Sequence, residues 1–97
     1  MEILIYSKET NGILRKILLF QCDNKLTLEA KEMGYIIEIE ADELTKLYNL
    51  LEININEEFG FLKSIENILS QNREMPFYFF TEYLNKNKIK HYRFWWS

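Results

Sequence analysis

The stretch LTLEAKEMGYIIEIEADELTKLYNLL, residues 26–51, decides the fold class because its hydrophobic period changes half-way along. In its first part Leu26, Leu28 and then Ile37 alternate with polar residues, which is typical of strands with one buried face. After Ala41 the apolar residues recur every three or four positions, which predicts an amphipathic helix to about residue 52. Strands followed by helices indicate the α+β class.

Two further strands are predicted before this stretch. Residues 2–7 are apolar at most positions, which predicts a strand covered on both faces, and Asn11-Gly12 predicts the hairpin turn that follows it. Residues 13–22 fit a helix or a strand, but turn signals at both ends favour a strand. The predicted apolar face of that strand is formed by its even positions, Leu14, Leu18, Phe20 and Cys22. The first forty residues are therefore predicted to form a four-stranded antiparallel meander.

Two more helices are predicted in the second half of the chain. One is expected to begin after Asn56, which can act as its N-cap, and to end near Gln71. Pro76 suits the first turn of a third helix that ends near Asn85, although a short strand at 77–80 is an alternative. The chain is therefore expected to place two or three helices on one face of the sheet.

The C-terminal residues combine basic and aromatic side chains. Their alternation predicts a strand over 89–96 that returns to the sheet, with Tyr92, Phe94 and Trp96 in the core. The same residue types are enriched at protein interfaces, where Trp95 is the candidate contact, and they also bind single-stranded nucleic acids. The negative net charge argues against nucleic acid, because such binding depends on neutralising phosphates.

The 97 residues, of which 47% are apolar and 28% charged, predict a single domain spanning residues 1–97. No run approaches the roughly 20 apolar residues of a membrane span, and the first residues lack the pattern of a signal peptide. The single cysteine excludes an internal disulfide framework. Together these features predict a cytoplasmic protein without membrane contact, and the richness in Lys, Asn, Ile and Glu indicates an AT-rich bacterial or phage genome.

Side chains that could support catalysis or bind a metal ion are few and scattered. Cys22 and His91 are each unique in the chain, but no nucleophile signature surrounds either residue. A cysteine on an apolar strand face is more often a small buried hydrophobe. The carboxylates at 38–43 lack the loop spacing of a calcium site, and the isolated glycines form no phosphate-binding loop. We therefore expect a non-enzymatic protein without cofactors.

Acidic residues are concentrated in the middle of the chain. The net charge is −3, yet residues 29–85 hold twelve acidic and four basic side chains, whereas residues 86–97 hold four basic side chains and no acidic one. The candidate partner-binding residues of this region are Glu38, Glu40, Asp42, Glu43, Glu57 and Glu58. A surface formed by these residues would steer association with a basic protein.

These features favour a binding protein over an enzyme. The leading hypothesis is a bacterial immunity protein or antitoxin whose acidic surface covers the active site of a basic nuclease-type toxin. One alternative is a phage- or plasmid-encoded inhibitor of a host nucleic-acid enzyme that uses the same surface. Another is a nucleic-acid-binding module that uses the C-terminal strand.

Overall fold

The computed structural model describes residues 2–30, 32, 34–72 and 76–95, with the side chains of all of these except 10, 72 and 95. Within those residues the sheet contains the strands β1 (Glu2–Thr10), β2 (Ile13–Cys22), β3 (Lys25–Ala30), β4 (Tyr35–Ile39) and β5 (Tyr92–Trp95). The α-helices are α1 (Ala41–Leu50), α2 (Glu58–Leu69) and α3 (Pro76–Lys86), and a 3₁₀ turn, Ser70–Asn72, follows α2.

The five strands form one antiparallel sheet in the order β1-β2-β3-β4-β5. The first two hairpin turns have positive φ at both central residues, 54° and 79° at Asn11 and Gly12, and 52° and 61° at Asp23 and Asn24. Asn, Asp and Gly tolerate this conformation, and such turns match the twist of the strands that they join. The predicted α+β class, the meander, the helices on one face and the returning C-terminal strand are confirmed.

The core lies between the helices and one face of the sheet. Leu19, Leu28 and Ile37 are neighbours across β2, β3 and β4, and all three are buried. The helices contribute buried side chains such as Leu47 and Phe61 against this face. Each such side chain stabilises the fold by about 1.5–3 kcal/mol when removed from water.

The even positions of β2 are not its buried face, although Leu18 and Phe20 among them are apolar. Ile17 and Leu19, at odd positions, are the buried residues, whereas Leu14 and Cys22 are exposed. The reason is the register, which sets Leu19 opposite the core residue Leu28 and turns the even positions to the other face. The predicted cover on both faces of the first strand is also wrong, because Leu4 is 48% exposed on edge strand β1.

The prediction that the C-terminal aromatic residues fill the core is wrong for two of them. Tyr92 and Phe94 are 55% and 48% exposed. Antiparallel pairing sets Phe94 opposite Ile36 rather than opposite the core residue Ile37, so these rings lie on the outward face of the sheet. Trp96 lies outside the described residues.

Helix α2 begins one residue later than the sequence indicates. Its N-cap residue is Glu57, without a side-chain capping bond, and not Asn56. The backbone N–H of Asn56 instead donates to Asn54 Oδ1 at 2.9 Å, which forms a local turn before the helix. Helix α3 begins at Pro76 as predicted, so the alternative strand at 77–80 is excluded.

Candidate partner-binding surface

The antiparallel order gathers four of the predicted acidic residues at one end of the sheet. Strands β2 and β4 finish at this end, β1, β3 and β5 begin there, and α1 starts directly after β4. Glu38 is in β4, Glu40 is the N-cap residue of α1, and Asp42 and Glu43 are in the first turn of that helix. We call these four residues the acidic end.

Lys25 neutralises part of the acidic end. Its Nζ lies 4.0 Å from Glu38 Oε2 and 3.7 Å from Glu40 Oε1. The lysine is close to both carboxylates because β3 begins beside the end of β4. Exposed ion pairs of this kind contribute only about 0–1 kcal/mol to stability, so the main effect of Lys25 is to lower the local negative charge.

The predicted surface of four solvent-exposed carboxylates is wrong for two of them, because the side chain of Glu38 is 27% exposed and that of Glu43 only 14% exposed. Oε1 of Glu43 accepts from Lys46 Nζ at 3.0 Å, and its Oε2 accepts from the backbone N–H of Lys90 at 3.3 Å. The bond from Lys46 is the main reason that the pKa of Glu43 is below its ordinary value of 4.5, with the Lys90 bond adding to it against the opposing effect of burial. Glu43 therefore ties α1 to the segment that leads into β5.

Glu57 and Glu58 lie where α2 begins, the first exposed and the second half-buried. Negative charge is favourable at a helix N-terminus, which gives Glu58 a structural role. Burial is the main cause of the raised pKa of Tyr48, and the negative charge of Glu58 adds to it. The hydroxyl of Tyr48 donates to Gln21 Oε1 at 3.0 Å near the end of β2. No described contact joins Glu57 or Glu58 to the acidic end.

The basic C-terminal segment adjoins the acidic end. Lys90 contacts Glu43 through its backbone, and an open groove of about 580 Å³ is lined by Lys88, Lys90, His91 and Arg93, among others. The negatively charged surface therefore covers a smaller part of the protein than the charge distribution along the sequence indicates.

The predicted contact residue Trp95 is in β5, where its backbone pairs with Tyr35 of β4. The side chain of Trp95 lies outside the described residues.

The outward face of the sheet is a second surface, which the sequence did not indicate. The six apolar residues Leu4, Leu18, Phe20, Ile36, Tyr92 and Phe94 define what we call the open sheet face. Their strand partners place them all on the side opposite the helices. The rings of Tyr92 and Phe94 lie side by side, with centroids 6.5 Å apart. The alternation of side chains between two faces can be read from the sequence of each strand, but only the pairing register aligns these six residues into one surface.

The geometry does not assemble the cysteine and histidine into a dyad. Cys22 ends β2 and His91 directly precedes β5, so three interstrand spacings, or about 14 Å, separate their strands. The thiol is exposed rather than buried as predicted. Nδ1 of His91 lies 3.1 Å from the carbonyl oxygen of Ile89. Within the described ranges, His, Cys, Asp and Glu side chains form no group of three or more that could hold a metal ion.

Comparison of the chain with protein-family models, curated proteins and solved structures yields no match. In the part of the chain that the structure describes, none of the helices has both the length and the apolar character needed to cross a membrane.

Proposed function

We propose that this protein is a small non-catalytic binding protein that neutralises a basic protein, in the manner of a bacterial immunity protein or antitoxin acting on a nuclease-type toxin. The observation that carries the proposal is the acidic end, where one end of the sheet and the start of α1 bring four carboxylates together. A nuclease must attract phosphates, so its substrate-binding surface is positively charged, and an acidic protein can cover it.

The carboxylates of the acidic end differ in their availability to a partner. Glu40 and Asp42 are exposed, and Glu40 makes only a loose pair with Lys25. Glu43 is already occupied by Lys46 and Lys90. We therefore assign the electrostatic attraction of the partner chiefly to Glu40 and Asp42. Such rim charges act mainly on the rate of association, because they steer the approach of an oppositely charged protein.

The test uses the whole protein as bait in a native lysate, followed by surface plasmon resonance against the captured protein. The double variant Glu40→Gln, Asp42→Asn should slow association about tenfold or more at low salt. Glu52→Gln with Glu82→Gln is the matched control, because it removes the same charge beyond the end of α1 and in α3. The difference should shrink at 0.15 M salt, where the Debye length is about 8 Å.

An association rate that neither the acidic-end variant nor salt alters would refute the acidic-surface proposal. The identity of the captured protein separates the two inhibitor classes. A toxin encoded beside this gene supports an immunity protein or antitoxin, whereas a host nucleic-acid enzyme supports the phage- or plasmid-encoded inhibitor.

One observation favours a second candidate function, that of a nucleic-acid-binding module. The groove beside β5 is lined by the basic residues Lys88, Lys90 and Arg93 and by the exposed ring of Tyr92. Proteins that bind single-stranded nucleic acids combine positive charge with aromatic rings in this way. The net charge of −3 opposes it. Fluorescence anisotropy with a labelled single-stranded oligonucleotide tests this alternative, which requires binding that weakens in the Lys88→Gln, Arg93→Gln variant.

A further inference from the structure

The open sheet face has the residue content of a protein-binding surface. One row of paired residues crosses the sheet from β1 to β5. It consists of Leu4, Leu18, Glu29, Ile36 and Phe94, so four of its five members are apolar. Leu4 and Phe94 are each 48% exposed, and Leu18 and Ile36 are half-buried. Contiguous exposed apolar patches on small proteins commonly mark sites of interaction, and large apolar and aromatic anchors supply most of the binding energy of an interface.

Carboxylates are interspersed with these apolar residues. Glu29 lies between Leu18 and Ile36, and Glu38 lies between Thr27 and Tyr92 in the adjacent row. No ion pair joins Glu29 to another residue among those described, whereas Glu38 has Lys25 at 4.0 Å. A partner that covers this face must therefore either pair these charges or leave them desolvated, and an unpaired buried charge is costly.

The charges on the face discriminate between possible occupants. A second copy of the chain packed face to face would bury two further carboxylates, while the described ion pairs of this face offer them only Lys25, and an unpaired buried charge is costly. A basic protein would instead set arginine or lysine side chains against Glu29 and Glu38 while its apolar side chains meet Leu18 and Phe94. Glu38 also belongs to the acidic end, so the two surfaces are continuous at that residue.

We propose that the open sheet face is the docking surface for the basic partner, with Leu18, Ile36 and Phe94 as its apolar anchor and Glu29 and Glu38 as the acceptors of the partner's cationic side chains. This inference rests on the proposed function and assigns it a contact surface. The acidic end then speeds the encounter, and the open sheet face sets the lifetime of the complex.

The experiment titrates the ¹⁵N-labelled full chain with two synthetic peptides and follows the backbone amides by NMR. One peptide alternates arginine with leucine, and the other alternates glutamate with leucine. The arginine peptide should shift the amides of Leu18, Glu29, Ile36 and Phe94, and the glutamate peptide should leave them unchanged. High salt should weaken the effect of the arginine peptide.

Two variants and a control make the test specific. Phe94→Thr should weaken binding of the arginine peptide about tenfold, as loss of an interface anchor does. Glu29→Gln should also weaken it without altering the packing of the sheet. The control, Tyr78→Ala, removes a ring that is 61% exposed on α3 and should leave the affinity unchanged. Circular dichroism verifies that every variant is folded.

The outcomes separate this inference from the proposed function. Shifts confined to the acidic end, at Glu40 and Asp42, would overturn the open sheet face as the docking surface and leave a basic partner in place. Equal binding of both peptides on the face would overturn the basic partner. Sedimentation that shows a dimer lost in Phe94→Thr would replace the partner by a second copy. Absence of binding by either peptide would overturn the open sheet face as the docking surface, whereas the proposed function stands or falls on the association rates of the captured protein.

Discussion

Replacing two phenylalanines, one at a time, tests where the C-terminal strand places its aromatic residues. Phe80 in α3 is fully buried, whereas Phe94 in β5 is 48% exposed. Removal of a buried phenylalanine costs the lost transfer free energy and also leaves a cavity, and the sum for Phe→Ala is about 3–5 kcal/mol. We therefore expect Phe80→Ala to remove a large part of a total stability of about 5–15 kcal/mol.

Phe94→Ala should cost much less. Complete burial of a phenylalanine contributes about 1.5–3 kcal/mol, so a ring that remains half exposed contributes about 1 kcal/mol. No closed cavity remains at an open sheet face, and the lower strand propensity of alanine adds less than about 1 kcal/mol. The expected loss for Phe94→Ala is therefore below about 2 kcal/mol, clearly smaller than the expected loss for Phe80→Ala.

Urea unfolding followed by far-UV circular dichroism measures both losses. The midpoint concentrations give the free energies of unfolding, provided that the slopes agree between the variants. Equal losses for Phe80→Ala and Phe94→Ala would show that Phe94 is a core residue, and would refute both its placement on the outward face and its role as an anchor of the open sheet face.

Three further predictions concern single side chains. Because the pKa of Glu43 is lowered in the folded state, this carboxylate stabilises the fold above pH 4.5, and the stabilisation is lost as the pH falls through the folded-state pKa. The free energy of unfolding of Glu43→Gln should therefore depend less on pH on the acid side. Identical acid-side profiles for the variant and the original protein would contradict this. Gly60 lies in α2, and a Cβ added there would meet only Glu57 Oε2, at 3.9 Å. In urea titrations Gly60→Ala should therefore raise the free energy of unfolding by about 0.5–1 kcal/mol. A lower free energy of unfolding would indicate a clash. The exposed thiol of Cys22 should react with a chromogenic disulfide reagent in the native protein about as fast as in the urea-unfolded chain, and strong protection would place it in the core.

The order of the elements follows from local sequence signals. The change of hydrophobic period at Ala41 marks where the sheet gives way to helices, Asn11-Gly12 marks the first hairpin, and Pro76 marks the start of α3. These signals act over a few residues, through backbone conformation and side-chain periodicity, so they can be read without the rest of the chain. The closeness of Glu38 and Glu40 to the start of α1 was predictable for the same reason.

The assignment of faces required the tertiary structure. In β2 both the even and the odd positions include apolar residues, and only the pairing of Leu19 with Leu28 determines which set is buried. The pairing register of β5 with β4 also sets Phe94 on the outward face. Glu43 likewise acquires its bond from Lys90, 47 positions along the chain, only after β5 has returned to the sheet. Alternation along a strand defines two faces, but a one-residue change of register exchanges them, so pairing alone decides which residues form the core and which form the surface offered to a partner.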